Sequence, residues 1–386
     1  MIKIAFHTLG NETWHAGTIY LFYLLKALRH FTGDEVSLSL LLSDIGDQAP
    51  EDLLKLVDES LAYPDCGRWT LPWFASRASA RLFGRDVWAD RFFRKRGVHI
   101  IAFGRAPQGS RIPLFAWIPD FQHIHMPEMF SPGEVAMRNE LFPRLAEDSS
   151  RIILLSETVK RDLKSFLPKH ADKARVVSPA SYIPGTVYER EPRSVCNIYT
   201  LPEKFIYLPN QFWKHKDHST AFRAVKILKD QGLRIFIVCS GPVNDYRHPN
   251  HFSSLLQQAS HLGIRNQIAF LGVLPREHVY MMIRQSACVM NPSLFEGFGM
   301  VVDEARSVGK RLLLSDIEAH REQLPPQAVF FSPGDEQDLA LKMKLIWEEQ
   351  SPGPDLKLEV EAQRIMPRRL KAFGKSFMAV ACELVP

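Results

Sequence analysis

Cysteine is scarce in this sequence, and its spacing is irregular. The 386 residues include 5 cysteines, at positions 66, 196, 239, 288 and 382. An odd number of scattered cysteines without paired spacing excludes a disulfide framework and a closely spaced zinc site. The pattern is typical of reduced, mostly buried thiols in a cytosolic protein.

Long apolar runs are also lacking. No stretch approaches the roughly 20 consecutive apolar residues that a membrane-spanning helix needs. The sequence opens directly with a strand pattern at residues 1–6, which leaves no room for a signal peptide. We therefore expect a cytoplasmic protein, with any membrane contact confined to a peripheral one at the inner face.

A strong charge of either sign is absent as well. Lys and Arg number 48 and Asp and Glu 43, which gives a net charge of +5. Because this excess is small and spread over the chain, nucleic acid is not an expected partner. The composition, 46% hydrophobic and 24% charged, is that of a globular protein, and the length suits two domains of roughly 150 residues or more each.

The most informative stretch is residues 291–309, which read N-P-S-L-F-E-G-F-G-M-V-V-D-E-A-R-S-V-G. An apolar strand pattern precedes it, and a glycine-containing turn opens a helix predicted over residues 300–308, with Gly309 as its stop. The glycines let backbone N–H groups approach an anion at the positive end of that helix. Glu296 and Glu304 add two carboxylates, which can accept hydrogen bonds from sugar hydroxyls.

This stretch resembles the nucleotide-sugar motif of the retaining, GT-B-fold glycosyltransferases of family four (glycosyl transferases group 1), in which two glutamates flank an E-G-F-G-like loop. The resemblance implies that Glu296 lies near the donor sugar and that Glu304 binds the nucleotide ribose. The loop residues implied to bind the donor are Gly297, Phe298, Gly299 and Met300. The alternative for the stretch is an ordinary strand, turn and helix with surface glutamates.

A second part of the motif is the polar loop at residues 209–218, between a strand and a helix pattern. The family offers an arginine and, five residues later, a lysine to the donor diphosphate; here Gln211 takes the arginine's place and Lys216 matches the lysine. Lys216 would then supply most of the positive charge. Further donor-binding residues implied by the resemblance are Gly241, Gly272, Val273 and Leu274, the last three through backbone contact with the base.

The first half of the chain matches the family only in outline. The loop that ends at Gly17 resembles one that approaches the donor diphosphate or the acceptor, although the family has two glycines where this chain has Ala16-Gly17; a plain helix N-terminus is the alternative. The loop after the strand predicted over residues 112–118 resembles one that supplies an aspartate or a histidine to the cleft. Asp120 and His123 are the best positional matches.

Residues 69–96 combine aromatic and leucine side chains with many arginines, and much of this segment fits an amphipathic basic helix. Such a helix can lie on an anionic membrane surface, where each basic residue contributes about 1 kcal/mol. A core helix with arginines on its polar face explains the same pattern. On the first interpretation, residues 73–96 make a peripheral membrane contact.

Strand and helix patterns alternate in two halves of the chain, which a proline-rich segment at residues 180–203 joins. They predict an α/β fold of the GT-B type, with two facing Rossmann-like domains and a cleft between them. We expect an N-terminal, acceptor-side domain at residues 1–185 and a nucleotide-sugar-binding domain at residues 186–365. Residues 366–386 are expected to form a helix that crosses back to the first domain.

The resemblance implies a retaining glycosyltransferase that moves a hexose from a nucleoside diphosphate sugar to a hydroxyl of a glycan or lipid-linked acceptor. A GDP- or UDP-sugar is the expected donor, with mannose the sugar by analogy; no D-x-D pair is present, so neither a metal nor a cofactor is expected. The predicted catalytic residues are Asp120, His123, Lys216 and Glu296. Two alternatives stay open: a sugar-nucleotide epimerase of the same architecture, and a catalytically silent sugar-nucleotide-binding subunit.

Overall fold

The chain folds into two compact units, seen in a computed structural model. The residues that the structure describes are 1–10, 16–42, 50–62 and 70–385. The first unit comprises Met1–Phe121, Ala136–Ala180 and Arg368–Pro386, and the second comprises Gln122–Val135 and Ser181–Pro367. Each unit is built around its own sheet.

The first unit contains a sheet of seven strands among the described residues. These strands are β1 (Ile2–His7), β2 (Val36–Leu42), β3 (Glu59–Ala62), β4 (Ile100–Ala102), β5 (Leu114–Trp117), β6 (Arg151–Leu154) and β7 (Ala174–Val176). They lie in the order β3-β2-β1-β4-β5-β6-β7, and all neighbours are parallel. Ile4, Leu38 and Phe115 on these strands are fully buried, as expected for a parallel sheet covered on both faces.

The second unit contains a sheet of six strands among the described residues. These are β8 (Ile206–Leu208), β9 (Ile237–Cys239), β10 (Ile268–Phe270), β11 (Cys288–Asn291), β12 (Leu312–Ser315) and β13 (Val329–Phe331). Their order is β10-β9-β8-β11-β12-β13, again with parallel neighbours throughout. The four inner strands β8, β9, β11 and β12 are mostly apolar and buried along their length, which explains why their sequences do not alternate. The edge strands β10 and β13 are only partly buried.

Helices alternate with the strands in both units. They are α1 (Ala16–Phe31), α2 (Glu51–Leu54), α3 (Leu71–Phe83), α4 (Val87–Lys95), α5 (Gln122–His125), α6 (Pro132–Asp148), α7 (Glu157–Phe166), α8 (Thr186–Glu189), α9 (Pro192–Ile198), α10 (His218–Asp230), α11 (His251–His261), α12 (Arg276–Gln285), α13 (Met300–Val308), α14 (Glu318–Glu322), α15 (Glu336–Glu349) and α16 (Leu356–Cys382). The α/β prediction with two Rossmann-like halves is confirmed. Each sheet reverses its strand order once, between β1 and β4 and between β8 and β11.

Residues 71–95 form two helices rather than the one amphipathic helix that the sequence suggested, and Trp69 lies outside the described residues. Gly84 ends α3 in the left-handed region, with φ 63°. Asp86 then caps α4 by accepting a hydrogen bond from the Ala89 N–H at 2.9 Å. The glycine and the capping aspartate, two residues apart, together stop one helix and start the next.

The segment at residues 180–203, which the sequence suggested to be a linker, is partly helical. It contains α8 and α9, and Val187, Val195 and Cys196 are buried in the core of the second unit. Pro192 stands at the first position of α9, where a missing N–H costs nothing. One of the prolines that suggested a linker, Pro192, therefore marks a helix start.

Helix α13 agrees with its predicted bounds, residues 300–308. Gly309 ends it with φ 90°, and a Cβ atom at this position would lie 2.6 Å from the backbone of Glu359. Both the left-handed conformation and the close approach of another backbone require glycine here.

Candidate active site

The candidate site lies at the carboxyl ends of β8 and β11 in the second unit. These strands are neighbours in the sheet, yet the chain leaves β8 toward β9 and returns to β11 from β10. Such a reversal of strand order is where open α/β sheets bind ligands, because the loops that follow the two strands leave a crevice. One loop carries Lys216 and the other carries Glu296, so the fold brings these two predicted residues to one edge.

Lys216 and Glu296 form a largely buried ion pair. Lys216 Nζ lies 2.6 Å from Glu296 Oε1, and the two side chains are only 14% and 10% exposed. Ser293 Oγ donates a second hydrogen bond to the same carboxylate oxygen, at 2.7 Å. Burial opposes ionisation of Glu296, but the charge of Lys216 and the hydrogen bonds outweigh it, and the pKa of Glu296 is lowered. The site therefore holds an ionised carboxylate in a fixed orientation beside a lysine.

Two buried asparagines, which sequence reasoning missed, join the loops at their bases. Asn210 Nδ2 donates to Asn291 Oδ1 at 3.0 Å, across 81 residues of sequence. The backbone N–H of Ser293 donates to the same Asn291 oxygen at 3.2 Å, and the Ser293 hydroxyl oxygen lies 2.6 Å from it. These bonds fix the turn that presents Glu296. The Asn-Pro dipeptide signals a turn in the sequence, but no local signal identifies the partner of Asn291.

The glycine loop leads into α13 as predicted. Gly299 precedes the first helical residue, Met300, with φ 86°. Gln323 donates its side-chain amide to the carbonyl of Phe298 and, at 3.1 Å, to that of Gly299. The backbone of the Gly297–Met300 turn is thereby held at the positive end of α13, whose first N–H groups lack partners within the helix. This geometry suits an anionic ligand.

Glu304, the second motif glutamate, is buried and paired. Arg276 of α12 donates a hydrogen bond to Glu304 Oε1 and so forms an ion pair with this carboxylate. The guanidinium also bonds the Tyr280 hydroxyl at 3.1 Å and lies over that ring, 5.1 Å from its centre. Sequence reasoning did not find Arg276, since it lies 28 residues before Glu304 on another helix. The carboxylate thus has a fixed position, and its contact with a ribose stays a prediction.

The loops after β9 and β10 adjoin the loop after β8. Gly241 takes φ 141°, its N–H donates to the Gly272 carbonyl at 2.8 Å, and a Cβ on it would lie 2.5 Å from the Asn210 carbonyl oxygen. Gly272 takes φ 65°, and Val273 is 63% exposed while Leu274 packs against the apolar core. The two glycines therefore permit three successive loops to lie close together.

The remaining predicted residues are distributed over both units. Gln211 is half-buried in the second unit, where its carbonyl accepts from the Trp213 N–H at 2.8 Å. Gly17 is the second residue of α1 in the first unit, and residues 11–15 of the loop before it lie outside the described residues. Asp120 is half-buried in the first unit, and His123, in α5, is buried in the second.

Helix α5 and the residues that follow it pack on the loop that carries Lys216. The Arg247 guanidinium, 2% exposed, forms an ion pair with Asp245 at 3.2 Å and donates to Gln122 Oε1 at 3.3 Å. It lies 4.4 Å from the centre of the Trp213 ring and 4.8 Å from that of Phe130. Arg247 is thus a buried link between the segment Gln122–Val135 and the loop after β8.

The same segment reaches the glutamate loop. The His125 ring lies 5.2 Å from the ring of Phe295, the residue before Glu296. The sequence predicted a role for His123, whereas the described contacts place His125 beside the motif. His123 stays a prediction.

Two features are absent from the residues that the structure describes. There, no three His, Cys, Asp or Glu side chains are grouped so as to hold a metal ion. In the same ranges, no helix combines the length and the apolar character needed to cross a bilayer.

Comparison with known proteins finds similarity to glycosyltransferases. Residues 197–363 match the family model described as glycosyl transferases group 1. An uncharacterized glycosyltransferase of Methanocaldococcus jannaschii is 24% identical over 54% of this chain and 54% of its own length. A D-inositol 3-phosphate glycosyltransferase of Corynebacterium diphtheriae is 24% identical over 43% and 40%. The O-antigen chain mannosyltransferase RfbU of Salmonella typhimurium is 25% identical over 37% and 38%. The chain spans about half the length, or less, of these curated relatives.

Solved structures resemble the whole chain. A glycosyltransferase from Rickettsia africae gives a TM-score of 0.71 at 15% identity, covering 100% of this chain and 98% of its own. Anabaena HepE, solved in complex with UDP and glucose, gives 0.69 at 16% identity and covers 100% of both chains. These likenesses establish the fold, and the family model covers the part of the second unit that carries the site. The chain thus has the GT-B fold, and its residues 197–363 form a domain that matches the glycosyl transferases group 1 family.

Proposed function

We propose that this protein is a retaining, metal-independent glycosyltransferase that moves a hexose from a nucleoside diphosphate sugar to a hydroxyl of a glycan or lipid-linked acceptor. The observation that carries the proposal is the buried Lys216–Glu296 pair, 2.6 Å apart, at the carboxyl edge of the second sheet and just before α13. A cation, a carboxylate and a helix N-terminus at one crevice suit a ligand that has both a diphosphate and sugar hydroxyls.

Each group is assigned a part of the donor. Lys216 and the first N–H groups of α13 stabilise the charge that develops on the departing diphosphate. Glu296 accepts hydrogen bonds from the 3- and 4-hydroxyls of the sugar, since its lowered pKa keeps it ionised. Glu304, oriented by Arg276, accepts from the ribose hydroxyls. Backbone groups of residues 272–274 contact the base.

In the proposed reaction the bond between the sugar C1 and the diphosphate oxygen breaks, and a bond from the acceptor oxygen to C1 forms on the same face. The acceptor proton passes to the leaving diphosphate, so that no side chain acts as a nucleophile. Asp120 or His123 is assigned to the 6-position of the sugar or to the acceptor. Gly17 and Gln211 are assigned to the diphosphate, with Gln211 contributing hydrogen bonds but no charge.

The relatives support the choice of donor. HepE was solved with UDP and glucose, and RfbU is named a mannosyltransferase. We therefore propose a UDP- or GDP-hexose as donor, with mannose as the sugar to test first.

Thermal stabilisation by nucleotides tests the donor site. UDP, GDP and ADP are added in turn at matched concentrations, and a ligand at 100 times its Kd should add about 2.7 kcal/mol to the free energy of unfolding. We expect one nucleotide to stabilise the protein selectively. The effect should disappear in Lys216→Ala and Glu304→Ala and persist in Lys226→Ala, which changes a lysine of α10 outside the site. No stabilisation by any nucleotide would contradict the proposal.

Product analysis tests the reaction. Glu296→Ala should lower transfer or donor hydrolysis by about 10²- to 10³-fold, the loss typical of one preorganised group. Glu277→Ala, on the exposed side of α12, is the matched control. NMR of the product should show the anomeric configuration of the donor, and a chelator should leave the rate unchanged. Selective nucleotide binding without transfer or hydrolysis would favour the silent binding subunit, for which Gln211 is the supporting feature.

The surface of α3 and α4 supports a peripheral membrane contact as part of this proposal. Its exposed apolar side chains are Leu71, Phe74, Leu82, Phe83, Val87 and Trp88. Its exposed basic side chains are Arg77, Arg81, Arg91, Arg94, Lys95 and Arg96. Apolar groups beside cations match the interface of an anionic bilayer, the inner face of a membrane being the proposed location. A lipid-linked acceptor would be reached from such a position.

Vesicle sedimentation tests this contact. The protein should sediment with vesicles of phosphatidylcholine and phosphatidylglycerol and not with phosphatidylcholine alone. Phe83→Ser and Trp88→Ser should release it, whereas Leu341→Ser, at an equally exposed leucine of α15, should not. If Phe83→Ser and Trp88→Ser sediment with the anionic vesicles as fully as wild type and Leu341→Ser do, the assignment of this surface is contradicted.

A further inference from the structure

His320 is a buried residue near the candidate site that the motif does not include. It lies in α14, directly after β12, with a relative exposure of 0%. A Cβ atom at Gly299 would lie 3.4 Å from its Cδ2 atom, the ring carbon bonded to Nε2. The Cδ2–Nε2 edge of the ring therefore borders the turn that begins α13.

The hydrogen bonds of His320 determine its tautomer. Its Nδ1 lies 2.9 Å from the backbone carbonyl oxygen of Ser315. A carbonyl oxygen only accepts, so Nδ1 must carry the hydrogen and donate it. In the neutral ring, Nε2 then carries a lone pair and can only accept.

The ring is neutral at ordinary pH. Burial lowers the pKa of His320, and the nearby charge of Glu296 and the bond to Ser315 offset this only in part, while Lys216 adds to the lowering. These same charges show that the ring lies within electrostatic reach of the Lys216–Glu296 pair. His320 therefore presents an uncharged acceptor nitrogen next to a site of two opposite charges.

That nitrogen makes no hydrogen bond within the described residues. Buried polar atoms are nearly always paired, and an unpaired one calls for an explanation such as a bound ligand. The ligand group must be a donor, which excludes the ionised oxygens of a diphosphate, since these only accept. The donors that a nucleotide sugar offers are the hydroxyls of its sugar, the hydroxyls of its ribose and the N–H groups of its base. The proposed function assigns the ribose to Glu304 and the base to residues 272–274, which leaves the sugar hydroxyls for His320.

From these observations we infer that His320 Nε2 accepts a hydrogen bond from a hydroxyl of the donor sugar, as a sugar-recognition residue of the site. The inference rests on the proposed function, because it needs a nucleotide sugar at this crevice. His320 would be a second hydrogen-bond acceptor for the sugar beside Glu296, and a neutral one. Because the free nucleotide lacks the sugar, His320 would strengthen binding of the nucleotide sugar alone.

Isothermal titration of purified full-length protein tests the inference with UDP, GDP, UDP-glucose and GDP-mannose. In His320→Asn the amide nitrogen can replace Nδ1 as donor to the Ser315 carbonyl, while no atom replaces Nε2. For the sugar nucleotide that wild type binds, we expect about a tenfold loss of affinity, the effect of one buried hydrogen bond. Affinity for the corresponding free nucleotide should stay within about twofold, which also shows that the variant is folded.

His320→Gln is the rescue variant, since its longer side chain can place an amide oxygen near the position of Nε2 and should recover part of the affinity. Equal losses for nucleotide and sugar nucleotide would overturn the inference and indicate contact with the ribose or the base, or a purely structural role. Unchanged affinities for both ligands would overturn it as well. If wild type binds none of the four ligands, the proposed function itself fails, an outcome distinct from either of these.

Discussion

The two sheets reverse their strand order in the same way, yet the residues at the two reversals differ in kind. In the first unit the carboxyl ends of β1 and β4 meet aromatic side chains: Tyr20 stacks on Trp117 at 5.4 Å, and Phe6 packs against Phe103 at 5.5 Å. His7, the last residue of β1, has its pKa lowered to about 4, mainly by burial. In the second unit the equivalent edge carries the ion pair and the amides of the candidate site.

The difference teaches that topology locates a site while side chains decide its chemistry. At the first edge burial drives titratable groups toward their neutral forms, since it also raises the pKa of Tyr20. At the second edge, Lys216 outweighs the burial of Glu296, and the pKa of that carboxyl falls instead. Burying an ion pair costs free energy, because both charged groups lose their hydration. Such a pair is therefore a stronger indication of function than the crevice alone.

Among the substitutions that test this difference between the two edges, Lys216→Met should change the free energy of unfolding most. Glu296 would stay buried without its cation, and breaking such a pair destabilises a protein by about 3 kcal/mol or more. Burial alone would then raise the pKa of Glu296 above its unfolded value of about 4.3. The added loss of stability should begin near the unfolded pKa, grow as the pH rises toward the raised pKa and level off above it, because between the two values only the unfolded state is ionised. Urea unfolding across this pH range measures it.

A double variant, Lys216→Met with Glu296→Gln, is the control for that experiment. It removes both charges, so most of the stability should return and the added pH dependence should vanish. A single Lys216→Met variant as stable as wild type at pH 7 would show that the pair is not buried as described, and the contrast between the two edges would fail.

The sequence predicts those parts of the site that are local. Glu296, Gly299 and the helix to Gly309 follow from one continuous stretch, because strand end, glycine turn and helix stop each leave a mark in adjacent residues. Lys216 needed the family resemblance. Gln323, which binds the loop carbonyls, could not be predicted, since 24 or 25 residues separate it from its partners and no local pattern encodes that contact.

The same reasoning explains the errors in the fold. Prolines at residues 180–203 indicated a linker, but a proline is equally suited to the first turn of a helix, and burial in the second unit selects the helical form. The spacing of arginines and aromatic residues at 69–96 fitted one helix. Periodicity alone does not show whether Gly84 interrupts that helix. The first outcome depends on packing partners that are distant in sequence, whereas Gly84 and Asp86 themselves set the second.

An intermediate effect is expected from Gln323→Leu at the second edge. Leucine is similar in size but donates no hydrogen bond, so the carbonyls of Phe298 and Gly299 would lose their partner. An unsatisfied buried group costs about 1–3 kcal/mol, which urea unfolding would detect. The turn before α13 should also become less ordered, with weaker nucleotide stabilisation as a second readout. A variant that matched wild type in both measurements would show that the turn holds its shape without Gln323.

The smallest effect is expected at the first edge, from Tyr20→Phe. The Tyr20 hydroxyl is buried and makes no hydrogen bond within the part of the chain that the structure describes. Removing it takes away a desolvated polar atom and keeps the ring stacked on Trp117, so stability should be unchanged or should rise by up to about 1 kcal/mol. Trp117→Leu, which removes the stacking partner, should instead destabilise the unit. If Tyr20→Phe proves clearly destabilising, the hydroxyl has a partner, and the first edge would then resemble the second in holding a polar network rather than an aromatic one.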